Sequence, residues 1–138
     1  MDGYVRLAVD DDALEVRRIL DAAMLEPGDV EGRIAEGNVL VAGDRRGGTS
    51  ADTERILGTV VLEGREEPGA HVAAIGVRRR HRGQGIGSAL IEHALEREGR
   101  LTARFDDDVR PFYERLEFAI EPIDERRNRG VVSTLERA

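Results

Sequence analysis

The sequence predicts a single α/β domain built on one mixed sheet, and three observations carry that expectation. The chain has 138 residues, enough for one real core and too few for two. Strand-like and helix-like stretches follow one another along its length in the order β-α-α-β-β-β-α-β-α-β-β. The stretch 76–88, Gly-Val-Arg-Arg-Arg-His-Arg-Gly-Gln-Gly-Ile-Gly-Ser, leads from the most apolar strand through a cationic, glycine-rich turn into the main amphipathic helix.

Residues 4–9 alternate in polarity and predict the first strand. Asp10, Asp11 and Asp12 supply a cap and favourable charge for a helix over 13–25, whose apolar stripe falls at 16, 19, 20 and 23. Pro27-Gly28 ends it. A short helix over 29–36 stops at Gly37, and 38–42 is the second strand. A polar hairpin loop over 43–53 separates it from a third strand over 55–62. A turn over 63–69 contains Pro68. The fourth strand, 70–77, is the most apolar and so central; the main helix spans 85–98. A short fifth strand covers 101–105. Asp106, Asp107 and Asp108 then cap a helix reaching about 117, with Pro111 in its first turn, where no amide partner is lost. Strands over 118–123 and 131–135, joined by a charged loop over 124–130, complete the sheet.

Composition narrows the chemistry. Three Phe, two Tyr and no Trp leave a core of aliphatic packing. No apolar run approaches the roughly 20 residues of a membrane-spanning helix. The first residues lack a basic stretch followed by an apolar one, so a cytoplasmic protein without a secretory signal is expected. The absence of Cys excludes disulfides, thiolate catalysis and Cys-based zinc sites. His71, His81 and His93 are scattered without metal-ligand spacing, so no metal is expected. There are 28 acidic residues against 21 basic ones, a net charge of −7, and every basic residue is Arg. Such a surface suits a halophilic cytoplasm, where salt screens self-repulsion; a GC-rich genome that favours Arg codons is the other reading.

The turn over 82–87, Arg-Gly-Gln-Gly-Ile-Gly, places small residues where successive amides must face outward. Glycine permits positive φ and close approach of a ligand to the backbone, and the helix that follows adds unsatisfied N–H groups and a partial positive charge. Arg78, Arg79, Arg80, His81 and Arg82 reverse the sign of an acidic chain at this point, and a diphosphate is the natural ligand. A dinucleotide fingerprint needs a different glycine spacing after the first strand, and a P-loop needs a lysine. A plain glycine-rich turn beside solvated arginines is the structural alternative.

Arg82-x-x-Gly85-x-Gly87 resembles the R/Q-x-x-G-x-G/A signature of the GCN5-related N-acetyltransferases (GNAT). The stretch 112–118, Phe-Tyr-Glu-Arg-Leu-Glu-Phe, resembles a second family feature at a helix end. The resemblance implies a mostly antiparallel mixed sheet with splayed central strands and flanking helices over the whole of 1–138. It implies acetyl-CoA as cosubstrate. The pyrophosphate would lie on the amides of Arg82, Gly83, Gln84, Gly85, Ile86, Gly87 and Ser88, and the pantetheine would pair like an extra strand near Ile75, Gly76 and Val77. Two departures stand out. The family usually has Gly where Glu117 stands, and a Glu in a left-handed conformation costs roughly 1 kcal/mol, which predicts a reshaped turn. Asp106 stands where relatives often have Asn.

The resemblance further implies an acetyl transfer to an amine, with a small molecule or a protein as acceptor. Tyr113 is the candidate acid, since the family often places a Tyr near the cofactor sulfur; a tyrosine that packs its ring and meets solvent with its hydroxyl is the alternative. His71 is the candidate base. It falls 11 residues before Arg82, where some relatives carry a catalytic Glu; a partly exposed histidine at a strand start is the alternative. Glu63, Glu66 and Glu67 are runner-up bases. The oxyanion donor implied is an amide near Val77. His81 reads as a solvated residue or weak phosphate contact, and His93 as a helix-edge histidine. Arg126, Arg127 and Arg129 read as a solvated hairpin loop able to line the acceptor site. A non-catalytic CoA-binding regulatory module of the same fold is the competing function. Nucleic-acid binding fits an acidic, aromatic-poor chain badly, and no membrane partner is expected. Relatives often dimerise, so a homodimer is one expectation among others.

Overall fold

The computed structural model describes residues 3–26, 28–45, 54–64 and 69–134. Within them the chain runs β1 (Tyr4–Leu7), α1 (Ala13–Ala22), α2 (Val30–Ala35), β2 (Val39–Asp44), β3 (Arg55–Gly64), β4 (Ala70–Val77), α3 (Ile86–Glu98), β5 (Arg100–Asp106), α4 (Arg110–Arg115), β6 (Ala119–Pro122) and β7 (Arg127–Ser133). This is the predicted order. Most of the expected hairpin loop (46–53), residues 65–68 of the Pro68 turn with Glu66 and Glu67, and position 135 of the last strand lie outside the described residues.

One sheet holds all seven strands in the order β1-β2-β3-β4-β5-β7-β6. Neighbours are antiparallel except β4 and β5. That parallel pair is joined only at Ala70–Leu101 and His71–Thr102. Beyond this point the two strands part, and the sheet opens a slot at its centre.

The two faces of the sheet bury separate cores. Leu90, Ile91, Ala94 and Leu95 of α3 pack with Val60, Leu62, Val72, Leu101, Phe105, Tyr113 and Phe118. On the other face Val16, Ile19 and Leu20 of α1 and Val30 and Ile34 of α2 pack on Val39, Val41, Ile56 and Val61. A β-bulge between β3 and β4 leaves Ala73 as the extra residue, since Val61 pairs with Ala74 and Leu62 with Val72. The bulge shifts the alternation by one residue. Ala70 and Val72 face α3 before it, Ile75 and Val77 after it, and Gly76 turns to α1. A Cβ on Gly76 would stand 3.1 Å from Ile19 Cγ2, so the missing side chain is what lets α1 close over the strand.

Four local expectations are corrected. Asp12 does not cap α1 forward: its carboxylate accepts from the Val9 amide at 2.8 Å and from Arg6 at 2.8 and 3.0 Å. Arg6 also donates to Glu54, tying β1, the start of α1 and the start of β3 together. The Asp run before α4 forms a 3-10 turn over Asp107–Val109, and α4 itself is only six residues long.

The supposed charged loop over 124–130 is strand from Arg127 onward. Asn128 is buried because its amide donates to Asp107 Oδ1 at 2.7 Å. Gly130 is buried because the rings of Phe105 and Phe118 cover it, and a Cβ there would stand 3.0 Å from each. Arg127 and Arg129 therefore alternate outward from a strand rather than fringe a loop.

The turn at Glu117 is not reshaped. Glu117 keeps a left-handed φ of 66°, and Phe118 N donates to Tyr113 O at 3.2 Å, the six-to-one closure of a Schellman ending. Glu117→Gly should relieve about 1 kcal/mol of strain, raising the melting temperature by about 3–5 °C. A calorimetric scan giving an unchanged or lower value would show the strain to be absent.

Candidate active site

The turn after β4 presents bare backbone. Gly83 and Gly85 have φ of 77° and 84°, and a Cβ on either would meet no atom within 4 Å. Gly85 is the N-cap of α3 and offers no capping side chain. By contrast, Asp29 caps α2 by accepting from Gly32 N at 3.0 Å. The first amides of α3, on Ile86, Gly87 and Ser88, lack an intrahelical acceptor and border this open space. Ile86 contributes only its amide, since its side chain is buried in the core. Gln84 is exposed and Ser88 half-buried. Sequence-predicted phosphate contacts are thus brought together as one open cradle at the N-terminus of a 13-residue helix.

The five cations before the cradle do different work. Arg78 is structural: its amide donates to Leu57 O at 2.8 Å, its Nε to Ile56 O at 2.7 Å, and its guanidinium pairs with Glu15. Arg82 folds back, with Nε on Val77 O at 3.1 Å. Arg79, Arg80 and His81 form a 3-10 turn. With Arg18, Ile19 and Ala22 of α1 they border a cavity of about 270 Å³. Arg18 is not marked by the sequence pattern, because it lies beside the apolar stripe of α1 rather than on it.

From Val72 to Val77 the edge of β4 that faces β5 has no β5 partner, while its other edge is occupied by β3. Ile75, Gly76 and Val77 lie on this open edge and lead directly into the cradle. Tyr113 of α4 is buried in the core on the α3 side. Its ring stacks on Phe105 at 4.1 Å between centroids and meets Phe112 and Phe118 edge-on at 5.0 Å. Burial pushes its hydroxyl up to about 12 from the usual 10.

His71 stands at the vertex where the slot closes. It is half-buried, and its Nδ1 lies 2.8 Å from Thr102 Oγ1. Thr102 lies between Leu101 and Ala103, which point into the α3-side core. Thr102 and His71 therefore belong to the opposite face, on which α1 and α2 pack against β2, β3 and β4. Tyr113 belongs to the core on the other face of the sheet. Glu63, a runner-up base, pairs in register with His71 on β3 and lies 3.5 Å from Arg33. His93 is exposed on α3, as expected of a helix-edge residue. Among the described residues no helix is long and apolar enough to cross a membrane.

Residues 35–120 match the family described as an acetyltransferase (GNAT) domain, a span of more than half the chain. No curated protein matches by sequence. The fold is similar to that of Ard1 from Thermoplasma volcanium, at 18% identity over 96% of this chain and 98% of that one, with a TM-score of 0.74. It is also similar to N-acetylglutamate synthase from Neisseria gonorrhoeae, solved with coenzyme A and L-arginine, at 15% identity over 95% of this chain and 33% of that one, TM-score 0.75. A third similar structure is Arabidopsis thaliana Naa50 with the bisubstrate analogue CoA-Ac-MVNAL, at 18% identity over 95% of this chain and 97% of that one, TM-score 0.70.

Proposed function

Since the chain belongs to the acetyltransferase (GNAT) domain family, we propose that it transfers an acetyl group from acetyl-CoA to a primary amine of a small molecule or a protein. The observation that carries this reading is the uncapped, glycine-floored start of α3 at the open end of the β4–β5 slot. A pyrophosphate fits there because the amides point outward and no side chain fills the space above Gly83 and Gly85. The open edge of β4 is of the right kind for an amide-bearing arm, which would add to it as a strand does.

Acetyl-CoA, when bound, supplies the acyl thioester. The chain supplies position and proton handling. A lysine-like amine is neutral only about one part in a thousand at pH 7, a cost of roughly 4 kcal/mol. Holding amine and acyl carbon in line is worth on the order of 7 kcal/mol or more, so geometry dominates. Tyr113 would donate a hydrogen bond from the α4 side to the departing sulfur. His71, on the opposite face, would accept the amine's proton directly or through a water, with Thr102 fixing its ring. An amide near Val77 would face the acyl oxygen.

The test is release of free thiol from acetyl-CoA in the presence of a panel of amines, alongside calorimetric binding of acetyl-CoA. Amine-dependent thiol release is the expected result. Binding without release for any amine would favour a non-catalytic CoA-binding module, and failure to bind would remove the cofactor reading altogether.

A further inference from the structure

Among the described residues, the α1–α2 core on the sheet face that carries His71 draws on β2, β3 and β4, and on β5 Thr102 of that face is buried. On β5, Leu101, Ala103 and Phe105 point into the core, so Arg104 points the other way. On β7, Asn128, Gly130 and Val132 are buried, so Arg129 shares that face. The two arginines stand directly opposite each other in the antiparallel register, and both are exposed. Among the described residues neither guanidinium group has a hydrogen-bond acceptor or an acidic partner within 4.0 Å.

Like charges opposed across two strands are destabilising, and this chain has a surplus of acids with which to avoid the clash. The acids nearby do not serve. Asp106 pairs at 3.9 Å with Arg127, one step further along β7. Glu121 of β6 is opposite Arg129 in register but forms no ion pair with it. His71 and Thr102 lie on the same face, at the closed end of the slot. The two guanidinium groups thus stand on one face in direct cross-strand register, with no ion pair to either.

Position decides what the pair can bind. Arg104 lies two residues past Thr102, the last β5 residue paired with β4, or roughly 7 Å along the strand. Arg129 is one strand further, about 5 Å to the side. An anion held between them lies a few bonds' length from an amine presented at the slot. Guanidinium groups match a carboxylate in planar, two-point fashion.

We propose that the Arg104–Arg129 pair is the acceptor-recognition site and that the acceptor is a small amine carrying a carboxylate. This rests on the acetyl-transfer reading above. The arginines hold the carboxylate, and the amine at the other end of the molecule projects toward the slot between His71 and Tyr113. The like-charge clash is relieved when the acceptor binds.

The test measures thiol release from acetyl-CoA with three acid–amide pairs: glycine and glycinamide, β-alanine and β-alaninamide, and 4-aminobutyrate and its amide. At least one acid should be preferred over its amide by about ten- to hundredfold in kcat/KM, the scale of a charge-assisted pair. Arg104→Gln and Arg129→Gln should each bring that ratio toward one, mainly through KM. Without acceptor, both substitutions should leave the melting temperature equal or slightly higher, because a repulsion is removed. Equal use of acids and amides, or ratios untouched by both substitutions, would overturn the proposal while leaving acetyl transfer standing. So would a marked fall in melting temperature, which would mark the arginines as structural, or use of an acidic tetrapeptide with all the free acids ignored. No thiol release with any amine would overturn the acetyl-transfer reading itself, and this proposal with it.

Discussion

Gly85→Asp is expected to weaken acetyl-CoA binding by at least a hundredfold in calorimetry while leaving the fold intact. Gly85 holds φ of 84°, a region that Asp visits more readily than most residues, so the backbone cost is about 1 kcal/mol. A Cβ there meets no protein atom within 4 Å, so the new side chain clashes with nothing in the free protein. It also stands at the N-cap of α3, where a carboxylate is compatible with the helix charge. The space it enters is the space assigned to the pyrophosphate. Two like charges about 4 Å apart repel by about 4 kcal/mol at the effective dielectric of a protein surface, more than the hundredfold requires. Gly85→Asn isolates the charge, since it fills the same volume without it, and should cost about tenfold. Asp binding acetyl-CoA within a few-fold of the unsubstituted protein would move the diphosphate off this turn.

The parts legible in the sequence were those set by local pattern. β4 was predicted with its observed bounds, 70–77, because a continuous apolar run between turn signals has few readings. The cradle was legible because Gly83 and Gly85 occupy positions where only positive φ closes the turn. What escaped depends on partners distant in sequence. Asn128 looked like loop because its burial rests on Asp107, 21 residues away. Once β7 begins at Arg127, Arg129 moves from a solvated loop to a sheet face opposite Arg104, which no reading of the 124–130 segment alone supplies. Arg78 reads in the sequence only as one of five cations before the turn, because its structural partners, Ile56 O and Glu15, belong to β3 and α1. The sequence marks His71 only by its spacing of 11 residues before Arg82; its Thr102 partner follows from the β4–β5 register, which pairs only two positions.

The Tyr113 substitutions separate packing from chemistry, and the two outcomes should differ in kind. Tyr113→Phe keeps the ring that stacks on Phe105 and meets Phe112 and Phe118. Its melting temperature should stay close to that of the unsubstituted protein, while kcat falls by tens- to hundredfold with acetyl-CoA binding retained. Tyr113→Ala removes a buried aromatic ring from that group and should cost about 3–5 kcal/mol, a fall of about 10–15 °C in melting temperature. Burial fixes the kind of help the hydroxyl can give. With its pKa raised to about 12 and a thiol near 8.5, full proton transfer to the thiolate is uphill by about 5 kcal/mol. In the proposed reaction the hydroxyl would therefore stabilise the departing sulfur by donating a hydrogen bond and would keep its proton. It also stays protonated throughout pH 6–10, so the rate should show no limb there that Tyr113→Phe removes. An unchanged kcat in the Phe variant would confine Tyr113 to packing, and a limb lost on that substitution would show that its proton does leave.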